Sequence, residues 1–111
     1  MSKFAECMEL YKAQNAELGL GLSESLLTGV AKGLGPSIYN SDSSKVSGTD
    51  KSELERVKNN FLIKKLGLKD SPALDAAIAE VMGKMGTSNR NKYRAVAYAL
   101  LAVKFGKEGN Y

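Results

Sequence analysis

The sequence predicts an all-α fold, one bundle of about five helices with a buried C-terminal helix. Three observations carry this. Apolar residues recur three and four positions apart along most of the chain, the spacing of a helix face. No segment alternates apolar and polar residues as a half-buried strand does, and β-branched residues are few. Helix-start and helix-stop residues bracket the periodic segments. With 111 residues, the chain is predicted to be one helical domain over 1–111, since a chain of this size buries roughly two thirds of its unfolded surface.

The first helix is predicted over Lys3–Leu18, with Phe4, Met8, Tyr11 and Leu18 on one stripe and Cys7 beside it. Ser2 can cap its start and Gly19 its end. The second is predicted from Glu24 to Lys32. Ser23 is a good N-cap, Leu22 can staple onto Leu27, and Gly33-Leu34-Gly35-Pro36 stops the helix. Residues 36–48 read as the longest loop, rich in Ser, Asn, Asp and Gly, with Ile38, Tyr39 and Val46 as anchors to the core.

Asp50 followed by Glu53 forms a capping box that opens the third helix. Its stripe is Leu54, Val57, Phe61 and Leu62, and Gly67 supplies the left-handed end, with Leu68 folding back on Ile63. Ser71-Pro72 opens the fourth, because Pro at the first helical position lacks only an N–H that has no partner there. Leu74, Ala77, Ile78, Val81, Met82 and Met85 follow, up to Gly86. Gly83 inside this helix costs about 1 kcal/mol relative to Ala unless a neighbour needs the space. The fifth is predicted from Ser88 or Asn89 to Phe105. It is apolar nearly all round, as a central helix should be. Residues 107–111 are expected to fray. The predicted core is Phe4, Met8, Leu27, Val30, Leu54, Val57, Phe61, Ile78, Val81, Val96, Leu100 and Leu101.

Composition excludes much chemistry. There is no His, which removes Ser-His and Cys-His nucleophile pairs, imidazole metal sites and the usual neutral-pH base. One Cys, Cys7, allows no internal disulfide and no thiolate zinc cluster. It reads as a small core residue. The longest apolar run, Ala95 to Val103, falls far short of the roughly 20 residues of a membrane helix, and no signal peptide is evident. A cytoplasmic location without membrane association is the expectation. The segment from Asp42 to Glu53 has the length of an EF-hand loop, but Val46 and Ser47 stand where a ligand and Gly belong. Gly33–Pro36 lacks the spacing of a phosphate loop. Glu53 and Glu55 do not share a helix face and read as solvated. No cofactor, metal or catalytic residue is predicted.

The formal charge is +4, unevenly placed. Residues 1–44 carry three basic and five acidic side chains, and residues 45–111 carry thirteen and seven. The SNRNKYR segment puts Arg90, Lys92 and Arg94 at a predicted helix N-terminus, where the dipole disfavours cations by about 0.3–1 kcal/mol each. A bound anion reverses that. Ser88, Asn89 and the guanidinium groups can ring a phosphate, and Tyr93 can offer a ring to a base. Lys64 and Lys65, with Lys58 and Lys69, can extend the basic surface toward nucleic acid. The competing reading pairs these cations with acidic residues of another helix or leaves them in water.

The blocks KGLGPSIYNSD, VSGTDKSELERVKNNFLIKKLGL, DSPALDAAI and SNRNKYRAVAYALL resemble a family of small bacterial proteins classed only as a domain of unknown function. The resemblance covers about residues 30–107 and leaves out the first 25. It implies a bacterial protein and no particular activity. By elimination, the expected function is a non-enzymatic module that binds a protein partner or itself. The alternative is an anion or nucleic-acid binder that uses the basic start of the last helix.

Overall fold

The computed structural model describes residues 3–39, 45–46, 50–86 and 92–107. Among them, helix α1 is Lys3–Leu18, α2 is Glu24–Leu34, α3 is Lys51–Arg56, α4 is Pro72–Met85 and α5 is Arg94–Lys104. A 3-10 turn, Gly35–Tyr39, follows α2, and a π-helical segment, Val57–Ile63, continues α3. The described residues contain no strand. Their one extended pairing is an isolated antiparallel bridge between Lys45 and Tyr93. The fold is therefore all-α.

Each boundary has a local cause. Ser23 is extended and its hydroxyl accepts the Leu26 N–H at 3.1 Å. Between α1 and α2, the Asn15 side chain clips the link twice. It accepts the Leu22 N–H and donates to the Leu22 carbonyl, both at 2.9 Å. Helix α2 runs two residues past the predicted stop, because Gly33 accepts helical backbone. The break comes at Gly35, with φ 67°, just before Pro36.

Asp50 caps α3 by accepting the Ser52 and Glu53 N–H groups at 2.9 and 3.4 Å. Only half of the predicted capping box forms, since the Glu53 carboxylate turns to Arg94 instead. Past Arg56 the turns widen: Lys64 N–H donates to the Asn59 carbonyl and Leu66 N–H to that of Phe61, both five residues back. Gly67, at φ 71°, then reverses the chain. The closing bond runs from Leu68 N–H to the Leu62 carbonyl, one residue wider than the usual Schellman end.

Helix α5 is the centre. Ala95 through Ala102 are all buried, and α1, α2 and α4 each pack against it. Four alanines (Ala95, Ala97, Ala99 and Ala102) are fully enclosed, so the neighbouring helices approach it closely. Ten of the twelve predicted core residues are buried, while Phe4 and Leu54 are half-buried at its edge. Ile38 and Val46 anchor the loop as expected, at 4% and 3% exposure. Tyr39 does not: it is 46% exposed, because the 3-10 turn that buries Ile38 points its neighbour outward. No helix of the described residues is long and apolar enough to cross a membrane.

Candidate functional site

The start of α5 differs from the sequence expectation. Tyr93 is the N-cap, with extended backbone at φ −69° and ψ 131°, so the helix begins at Arg94 and not at Ser88 or Asn89. The cause is tertiary. Val46 N–H donates to the Lys92 carbonyl at 2.8 Å, and Tyr93 N–H donates to Gln14 Oε1 at 3.3 Å. These bonds hold residues 92–93 in extended form and override local helix propensity. Ser88, Asn89 and Arg90 lie outside the described residues.

Lys92 and Arg94 do not form one exposed basic cluster. Lys92 is 2% exposed, and burial pushes its ammonium below the usual lysine range. Arg94 points inward. Its guanidinium pairs with Glu53 of α3, and it donates to the Tyr98 hydroxyl at 2.8 Å and to the Lys45 carbonyl at 3.3 Å. It also stands 5.6 Å from the Tyr98 ring centre, and that ring stacks on Phe61 with centroids 4.0 Å apart. Glu53 is thus not solvated: its side chain is 12% exposed, against 62% for Glu55. Burial raises Tyr98 above the usual tyrosine range, with Arg94 opposing.

Lys64 and Lys65 are exposed past the π-helical segment, and Lys65 lines a pocket together with Phe61 and Tyr98. Lys58 leaves their basic surface altogether. It reaches Asp75, Asp70 and Glu55 at 3.4, 3.7 and 3.8 Å, and its side chain is 12% exposed.

Two of the predicted site residues border cavities, Lys65 beside Phe61 and Tyr98, and Tyr93 at the start of α5. A groove of about 230 Å³ lies between α1, the 3-10 turn and the start of α5. Cys7, Tyr11, Ile38 and Tyr93 form its inner wall, and Leu10, Tyr39 and Lys45 its edge. Tyr11 and Tyr93 meet edge to face at 5.5 Å, a favourable ring geometry. Leu10 and Tyr39 are 49% and 46% exposed, two of the three large apolar side chains left in water among the described residues. The Cys7 thiol is directed at the Ile38 carbonyl, 3.7 Å away. Tyr11 is 1% exposed, yet among the described residues its hydroxyl has no hydrogen-bond partner. Burial, and then the adjacent Cys7, raise it above the usual tyrosine range.

A buried hydroxyl left without a partner costs about 1–3 kcal/mol, so a ligand that brings Tyr11 an acceptor gains what the described residues do not supply. Chemically the groove offers apolar and ring surface, the phenols of Tyr11, Tyr39 and Tyr93, and one ammonium. Gln14 was missed in the sequence; its one signal is an amide three residues after Tyr11, on the α1 stripe. Leu10, beside the stripe, gave no signal. Among the described residues, no three His, Cys, Asp or Glu side chains stand close enough to hold a metal ion.

Fold and site together define an all-α bundle closed around a central helix, with an apolar groove where that helix begins. The chain belongs to the DUF2853 family, described as proteins of unknown function, which it matches over residues 10–109. The match takes in most of α1, which the resemblance read from the sequence had left out. It also covers the groove residues other than Cys7. No curated protein matches the chain.

Proposed function

We propose that this protein is a non-enzymatic interaction module whose groove seats an apolar segment of a partner protein. One observation carries the reading: Leu10 and Tyr39 stand exposed on the edge of one groove, over a buried Tyr11 hydroxyl that has no hydrogen-bond partner among the described residues. Exposed apolar residues scattered singly are ordinary, but convergence on a concave surface is what partner segments use. An apolar side chain of the segment packs against Leu10, Tyr39 and Ile38. A backbone carbonyl of the segment accepts a hydrogen bond from the Tyr11 hydroxyl, and an acidic side chain suits Lys45. The absence of His, and a lone Cys without a thiolate-stabilising His, support a non-enzymatic role. The same unpaired Cys, with the resemblance of the sequence blocks, supports a bacterial cytoplasmic setting.

The alternative, anion or nucleic-acid binding at the start of α5, has less to draw on, because Arg94 is already paired with Glu53. Selection from a random peptide library on the immobilised full chain separates the two. The expected result is a consensus with a large apolar residue, weakened at least about tenfold by Leu10→Asp or Tyr39→Asp and changed little by salt. Peptides indifferent to both substitutions, or no consensus at all, overturn the groove reading. Binding of short RNA that falls steeply with salt favours the alternative.

A further inference from the structure

A second cavity lies on another part of the molecule and shares no lining residue with the groove. It holds about 200 Å³ between the end of α2, the π-helical segment and α5. Val30, Leu34 and the stacked pair Phe61 and Tyr98 give it an apolar body, while Asn60 and Lys65 supply its polar side. An enclosed apolar cavity of about 150 Å³ takes up a benzene ring. This pocket is half-open, so it has room for a single ring with one side in water and a small head group at the mouth.

The π-helical segment explains why the polar groups converge. Asn60 and Lys65 are five residues apart. In an α-helix they point about 140° from each other. A π turn instead brings residues five apart close to one side, and here both line the same pocket. Widened turns of this kind occur often at functional sites. Val57, Phe61 and Leu62 stay buried through it, so the core is kept while the rim is rearranged. The charged side chain on the lining is a cation, and the neighbouring amide can donate to the same group.

We propose that this pocket binds a small aromatic carboxylate, with the ring among Val30, Leu34, Phe61 and Tyr98 and the carboxylate at Lys65 and Asn60. The ring meets aromatic and aliphatic carbon, and the carboxylate meets an ammonium at the mouth. A charge-assisted contact of this kind lowers affinity by about tenfold when it is lost.

The test is a titration of the isotope-labelled full chain with benzoate, benzamide and hexanoate, followed by amide NMR. Benzoate is expected to give saturable shifts centred on Val30, Leu34, Asn60, Phe61 and Tyr98. Benzamide and hexanoate should bind several-fold more weakly. Lys65→Ala, at an exposed position, should weaken benzoate about tenfold and leave benzamide unchanged. Gly33→Leu fills the mouth. Gly33 is exposed, lines the pocket and has ordinary helical backbone, so the variant should fold, as its melting checks, and lose all three ligands. The proposal is overturned by shifts that fail to saturate, by shifts that scatter over unrelated residues, or by benzoate binding that survives Gly33→Leu. Equal binding of benzamide removes the carboxylate from the assignment, and equal binding of hexanoate removes the ring.

Discussion

Arg94 shows how a cation that looks available in a sequence is consumed by the fold. Its charge meets Glu53, and its remaining donors meet Tyr98 and the Lys45 carbonyl. The side chains of the ion pair are 15% and 12% exposed. Removing Arg94 leaves the Glu53 charge largely buried with only the exposed Arg56, 3.8 Å away, to match it, at about 3 kcal/mol. Arg94→Met is expected to lose about that much stability in urea unfolding, and Arg94→Lys should restore little of it, because an ammonium cannot reach three acceptors in one plane. A loss below about 0.5 kcal/mol for Arg94→Met, the scale of an exposed pair, counts against this account. Tyr11 should behave in the opposite way. Tyr11→Phe removes a buried hydroxyl that has no hydrogen-bond partner among the described residues and is expected to stabilise the chain by about 1 kcal/mol while weakening any groove ligand. The same side chain, with Tyr98, governs alkaline behaviour. Both are raised by burial, so the folded state keeps protons that the unfolded state releases near pH 10. Their contribution is complete below pH 10 and is lost as the pH rises beyond it. Melting between about pH 9 and 11 should show the fall, and Tyr11→Phe should lessen it. The sequence marked Tyr93 and Arg94 as residues of interest, but not their partners. Glu53 and Gln14 are distant in the chain, and nothing in local spacing couples them to residues 93 and 94.

At the level of helices, local chemistry predicted starts and stops well wherever the deciding contact is itself local. Ser23, Asp50, Pro72 and Gly86 lie at the ends the sequence assigns, and Gly67 reverses the chain as expected though the helix before it stops at Ile63, since caps and left-handed glycines act within a few residues. Two features escaped it. The start of α5 is set by bonds from residues 14 and 46, and the π-helical turns keep an apolar pattern that an α-helix would also satisfy. One substitution made at two glycines tests the local reasoning. Gly83 is exposed inside α4, and a Cβ there meets nothing within 4 Å. Gly83→Ala is therefore expected to add up to about 1 kcal/mol, which raises the melting midpoint by a few degrees. Gly67 also has open space, but its φ is +71°. Gly67→Ala should destabilise the chain by about 1 kcal/mol or more. Shifts of the same sign at both positions contradict the assignment of backbone conformation as the cause.

For the molecule as a whole, α5 holds the structure together. The radius of gyration is 12.8 Å, close to the roughly 13 Å expected of a compact chain of this length, and α5 supplies the surface on which α1, α2 and α4 meet. Its amides from Tyr98 to Ala102, buried on every side, should be the last to exchange with solvent, opening only with global unfolding. Faster exchange there than in α2 or α4 removes its central standing. Substitution of its enclosed alanines is expected to be costly too: Ala99→Leu overfills a closed space and should lose about 1–3 kcal/mol in thermal unfolding. The order of synthesis adds a further consequence. A ribosome completes α1, α2 and α4 before the helix they share has been made. Until residue 104 emerges, α1 can pack on α2 and α4 on the π-helical segment, but the apolar faces they turn toward α5 have no mate. Closure of the core is therefore deferred until α5 has been synthesised, and in the interval the growing polypeptide is a client for whatever chaperone shields exposed hydrophobic surface.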